Sequence, residues 1–293
     1  MKKRMKKKIF IFLLASFFLI TVITSCSSAP KKTGDIYFIR THAETLLESA
    51  NKEAGRGFYE NALLIVNESK RNAILADDPS LIIRCSLSRG NFLFSLGRTN
   101  EAFAEWEQAV TEAQKLGGEL LPVSRIFYAR GALVSGRASA QSVLNDVVRD
   151  AENIKSDQLY IAFSWQVRGL ALRALGSYRE AEAAVTRSLE IHEKNMYLEN
   201  ASYDWYTIAS IRSLSGNTSG ALEALERSIA IDRRIENTWG LAASWRAMGD
   251  VYRKAGKEQE ALEAYNRALA IYTAIGNEYE AAEIRKRMGN ASQ

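Results

Sequence analysis

Glycines recur along this chain on one long period: Gly57, Gly97, Gly136, Gly176, Gly216 and Gly256 are spaced 40, 39, 40, 40 and 40 residues apart. Self-similarity at a fixed period of a few tens of residues confines a chain to repeat architectures, in which each unit stacks on its neighbours. Other positions keep the same beat. With Ala43, Ile83, Pro122, Ala162, Ser202 and Ala242 as first positions, the eighth reads Ala50, Gly90, Ala129, Gly169, Ala209 and Gly249, never a large residue. The twentieth reads Ala62, Ala102, Gln141, Ala181, Ala221 and Ala261, and Trp165, Trp205 and Trp245 share the fourth.

The unit is clearest between Ala242 and Ile275, which carries Trp245, Met248, Gly249, Tyr252, Gly256, Ala261, Tyr265 and Ala268. This spacing describes two packed helices. Small residues sit where the backbones approach, large ones fill the space between, and Gly256 closes the first helix in a left-handed conformation. These residues resemble the tetratricopeptide repeat, with its W…L-G…Y…A…F…A pattern; Thr273 stands where that family usually has proline. The period exceeds the family's usual ~34 residues, which predicts longer helices and links. The resemblance implies an all-α, right-handed superhelical solenoid of about six ~40-residue helical hairpins plus a C-terminal capping helix. The repeats are placed near 43–82, 83–121, 122–161, 162–201, 202–241 and 242–281, with the cap at 277–289, all inside a 35–293 domain. Repeat 1 is degenerate at Glu53 and Ser69, as terminal repeats often are. Repeat 3 departs at Arg125, Gln141 and Asn145. Thr41-x-x-Glu44 predicts a capping box opening the first helix, and Asp35–Arg40 reads equally as extended lead-in or helical turn.

The N-terminus is of another kind. Lys2, Lys3, Arg4, Lys6, Lys7 and Lys8 precede an apolar run, 9–23, and the small residues Thr24 and Ser25 lead to Cys26. A basic front, a short apolar core and small residues behind it read as a secretory signal. The ending resembles a bacterial lipobox, which implies cleavage of residues 1–25, lipid attachment at Cys26 and a flexible linker over 26–34. An uncleaved anchor helix is the alternative. Both place the remainder outside the cytoplasm on a membrane, and Ser27 after the cysteine favours the outer membrane. Removing the six positive charges of residues 1–25 takes the net formal charge from +5 to −1. The basic pI therefore carries no argument for nucleic acid.

Catalytic signatures are absent: no H-E-x-x-H, C-x-x-C, G-x-S-x-G or phosphate-binding glycine loop occurs. His42, His192 and Cys85 read as structural, so neither a metal nor any cofactor beyond a covalent lipid on Cys26 is expected, nor an enzyme.

In the resembled family, positions 2, 5, 9 and 12 of each first helix face a concave groove. That implies a binding surface of Arg84, Asn91, Phe94, Ile126, Arg130, Leu133, Phe163, Gln166, Arg173, Tyr203, Tyr206, Arg246, Arg253 and Lys286. Arginines beside aromatics suit a partner protein or peptide with an acidic segment or a C-terminal carboxylate. The lysine–asparagine carboxylate clamp of chaperone-binding members is missing, since Leu87 precedes Asn91. The resemblance implies a membrane-anchored interaction scaffold or adaptor in an envelope complex. A solute- or small-ligand-handling protein tied to transport, with homo-oligomers possible, is the alternative.

Overall fold

A computed structural model describes residues 35–289; the expected signal segment, Cys26 and its linker lie outside them. Thirteen helices and no strand occur among the described residues. They are α1 (Asp35–Gly55), α2 (Tyr59–Leu75), α3 (Pro79–Ser95), α4 (Thr99–Leu116), α5 (Leu120–Val134), α6 (Ala140–Ala151), α7 (Gln158–Ala174), α8 (Tyr178–Lys194), α9 (Leu198–Leu214), α10 (Thr218–Arg234), α11 (Thr238–Lys254), α12 (Glu258–Ala274) and α13 (Glu278–Gly289). Consecutive helices pack as antiparallel hairpins, and each odd-numbered helix from α1 to α11 also touches the next odd-numbered one. The odd helices line the inside of the array and the even ones back them.

The periodic residues explain both the turns and the core. At the end of α3, Gly97 takes φ +75°, its N–H bonds the Phe94 carbonyl, and the Arg98 N–H reaches back to Leu93 at 2.9 Å. These bonds satisfy carbonyls the helix end would leave open. At the opposite end of a hairpin, Asp78 accepts from the Leu81 N–H at 2.9 Å ahead of Pro79, so α3 starts with a capped first turn. Inside the hairpins the small eighth positions are contact points. A Cβ on Gly90 would stand 2.3 Å from Trp106 Nε1, and one on Gly249 2.6 Å from the Tyr265 ring. The alanines at position twenty are buried in every repeat but the third. There Gln141 is exposed and donates to Asn145, and α6 is only 12 residues long.

Two expectations change. Residues from Asp35 onward are helical, so α1 begins before Thr41, whose carbonyl accepts from the Thr45 hydroxyl within the helix. Thr41 therefore caps nothing. Trp245, expected to fill the space between two helices, is only half-buried, as are Trp165 and Trp205 at the same position, with Arg168 lying over Trp165 and Arg267 over Trp245. Trp106 is the wholly buried tryptophan.

The array closes on itself. Helix α11 of repeat 6 touches α1 of repeat 1. Tyr59 meets Trp239 edge to face at 5.4 Å, and Arg56 pairs with Glu236 at 3.0 Å. Gly57 lies against Ile275, whose Cδ1 a Cβ there would meet at 2.9 Å.

Candidate functional site

Closure turns the concave face into a chamber of ≈ 630 Å³, walled by side chains from α1 round to α11. Of the groove residues expected from the sequence, Arg84, Asn91, Arg130, Phe163, Gln166, Tyr203, Tyr206 and Arg246 line it. The walls are close enough for Arg130, on repeat 3, to stand over the Tyr203 ring of repeat 5, 5.9 Å from its centroid. Tyr203 and Tyr206 stack at 6.1 Å beneath it.

The remaining expected residues lie elsewhere. Ile126 is buried in the core, and Phe94 and Leu133 pack against that core. Arg173 donates to Ser210 Oγ at 3.0 Å, Arg253 covers Tyr265, and Lys286 is exposed on α13. Phe94, Leu133, Arg173 and Arg253 all occupy position 12. Position 12 shares a face with position 5, seven residues and nearly two turns earlier, but lies farther along the helix, where the side chain leans onto its neighbours instead of into the chamber.

Two carboxylic acids on the wall have no counterpart in the repeat pattern. Glu199, at the start of α9, is exposed on the chamber wall, with Gly55 of repeat 1 beside its carboxyl. Its carboxyl is pushed up to about 7, mainly by desolvation among the packed walls around it, although the residue keeps an exposed surface, and then by the neighbouring Asp232 carboxylate. Asp232, near the end of α10, is pushed up to about 6 by burial. It accepts from Asn237 Nδ2 at 2.8 Å, and Ser228 Oγ lies 3.5 Å away. No cation offsets either shift. Gln166 reaches the wall with its amide already donated to Asp204 at 2.8 Å, and Asp204 also binds His192 Nδ1 at 2.7 Å in a fully buried cluster.

Residues 201–274 match the family model of the tetratricopeptide repeat. Solved structures extend the likeness over most of the chain. The Rap protein complexed with Competence and Sporulation Factor is similar at 14% identity, covering 86% of this chain and 74% of that one, with a TM-score of 0.58. A STAND signal-transduction ATPase with a tetratricopeptide repeat sensor, from Pyrococcus horikoshii, matches at 14% identity over 81% of this chain and 37% of its own, TM-score 0.59. A thermophilic TPR protein from Thermus thermophilus matches at 18% identity over 71% of this chain and 98% of its own, TM-score 0.51. The fold is a tetratricopeptide-repeat solenoid. No curated protein matches the chain.

Within this solenoid a second hollow of ≈ 620 Å³ runs along the outer side of α8, between Tyr178 and Glu190. It is walled almost wholly by one helix, whereas the chamber gathers side chains from all six repeats, so the chamber is the better site. Among the described residues no group of three or more His, Cys, Asp or Glu side chains could hold a metal ion. No described helix is long and apolar enough to cross a membrane.

Proposed function

We propose that this protein is a lipid-anchored interaction module of a bacterial cell envelope, which captures a peptide segment of a partner in its closed concave chamber. One observation carries the reading: the sixth repeat meets the first, so Arg84, Arg130 and the Tyr203–Tyr206 pair converge on one partly open hollow. Guanidiniums beside aromatic rings are the usual anchors of peptide recognition, and a carboxylate is the natural bidentate partner. The Rap protein, of similar fold, is solved in complex with a named factor, which supports ligand binding by a solenoid of this shape. Attachment through Cys26 would hold the module on the outer face of a membrane, the outer membrane by preference. Three acyl chains, as the lipobox resemblance implies, make that tether permanent. The role is binding rather than catalysis.

The test is a capture experiment from cross-linked native membranes with the acylated protein, beside an Arg84→Glu/Arg130→Glu variant of unchanged circular dichroism. The reading expects an envelope protein that is captured by the first and lost with the second. Identical capture by both would place the binding surface outside the chamber.

A further inference from the structure

Four charged side chains face the chamber without an ion-pair partner among the described residues: Arg84, Arg130, Glu199 and Asp232. They are segregated. The arginines come from α3 and α5, in repeats 2 and 3; the acids come from α9 and α10, beside the seam that closes the array. Asp232 is buried and Arg130 half-buried, while Arg84 and Glu199 are exposed on the chamber wall; a charge withdrawn from water and left unpaired is unfavourable. Here two of each sign share one cavity, yet the cations do not neutralise the acids.

We infer that the chamber binds a short peptide by both of its free termini, the carboxylate on Arg84 and Arg130 and the ammonium on Glu199 and Asp232. This rests on the capture reading in placing the ligand in the chamber, and goes beyond it in making that ligand a free peptide instead of a partner's segment. Such a ligand supplies each wall with the charge it lacks. A guanidinium fork matches a carboxylate with two parallel hydrogen bonds. At the other wall Asp232 is buried, no cation lies near either acid and both are held above their ordinary range, which a ligand ammonium would offset. Polar atoms are available for the peptide's middle: Asn91 Oδ1 and Arg130 Nε are buried with no protein partner. The size agrees, since ≈ 630 Å³ lies within the roughly 300–1,000 Å³ of pockets that enclose small ligands. Contact at both termini is what makes the ligand a free peptide, since a segment inside a longer chain offers neither a terminal ammonium nor a terminal carboxylate.

Native mass spectrometry of the full acylated protein in detergent at pH 8 tests this, with mixed-sequence tripeptide pools that have free termini, an acetylated N-terminus, an amidated C-terminus, or both blocks. The free pool is expected to bind, and each single block to weaken binding at least tenfold. Glu199→Gln/Asp232→Asn should remove the penalty for acetylation only, and Arg84→Gln/Arg130→Gln the penalty for amidation only. A pool of single amino acids should bind more weakly than the tripeptides; equal or tighter binding would overturn the peptide assignment. Doubly blocked peptides that bind as well as free ones would overturn the two-terminus inference while leaving the chamber as the capture site. No binding by any pool would overturn it too, and membrane capture lost with Arg84→Glu/Arg130→Glu would show that the capture reading survives.

Discussion

Arg56 and Glu236 are 180 residues apart in the chain and 3.0 Å apart in space. Their pair marks the seam where repeat 6 returns to repeat 1. It is exposed, and exposed ion pairs contribute little; the Tyr59–Trp239 contact behind it is apolar and better shielded. Arg56→Glu should therefore leave the closed shape intact. Trp239→Ala should open it, because Trp239 packs on both Tyr59 and Tyr272. Small-angle X-ray scattering would show a larger radius of gyration for Trp239→Ala alone. An unchanged radius would mean that the seam does not hold the array closed.

Trp106 sits between two glycines. A Cβ on Gly90 would fall 2.3 Å from its ring, and one on Gly131 2.2 Å. Gly131→Ala should cost about 1–3 kcal/mol by overpacking, and Trp106→Ala about 3–5 kcal/mol by leaving a cavity. Urea denaturation measures both. Combining Gly131→Ala with Trp106→Leu should recover part of the loss, since the smaller side chain vacates the clash.

Stability should depend on pH through the chamber acids. Glu199 and Asp232 both bind protons more tightly folded than unfolded. Their contribution is complete below their unfolded values and is lost as pH rises, between 4.5 and about 7 for Glu199 and between 3.8 and about 6 for Asp232. Glu199→Gln/Asp232→Asn should thus gain Tm relative to wild type as pH rises from 4 to 7, and hold that gain at pH 8. A Tm difference independent of pH would contradict the raised proton affinity of these acids.

Asp204 serves two buried partners, the Gln166 amide at 2.8 Å and His192 Nδ1 at 2.7 Å. Asp204→Ala strands both, at about 1–3 kcal/mol for each group left unsatisfied. The loss in urea denaturation should shrink when Gln166 and His192 are replaced by leucine as well.

What was legible in the sequence is what repeats. A side chain that packs within its own hairpin meets the same neighbour every 40 residues, so Ala62, Ala102, Ala181, Ala221 and Ala261 are buried as the period requires. Gln141 breaks the period and is exposed. The groove was legible only in part. Arg84 and Arg130 lie on the chamber, while Arg173 and Arg253 sit a helical turn too far along. The seam left no trace, because contacts between repeats 1 and 6 occur once and carry no period. Glu199 was missed for the same reason, since it meets Gly55 only across the seam, and Asp232 because the trio it forms with Ser228 and Asn237 does not recur along the chain. The early start of α1 was hidden by Asp35–Arg40, whose mixed apolar and charged residues suit either conformation, and Tyr37 and Phe38 remain exposed.

Attachment through Cys26 predicts that Cys26→Ala leaves the protein in the soluble fraction once its signal segment is removed. Mass spectrometry of the wild-type N-terminal peptide should show an acylated Cys26. An unmodified residue in a membrane-bound protein would point to the uncleaved anchor instead.

The central claim, that the concave chamber is where a partner binds, is tested most directly by site-specific photocrosslinking in native membranes. One probe replaces Tyr203, on the chamber wall, and the other Arg187, on the outer hollow along α8. The account predicts a ligand adduct from position 203 and none from position 187. An adduct from 187 with none from 203 would contradict it and move the binding face to the outside of the solenoid.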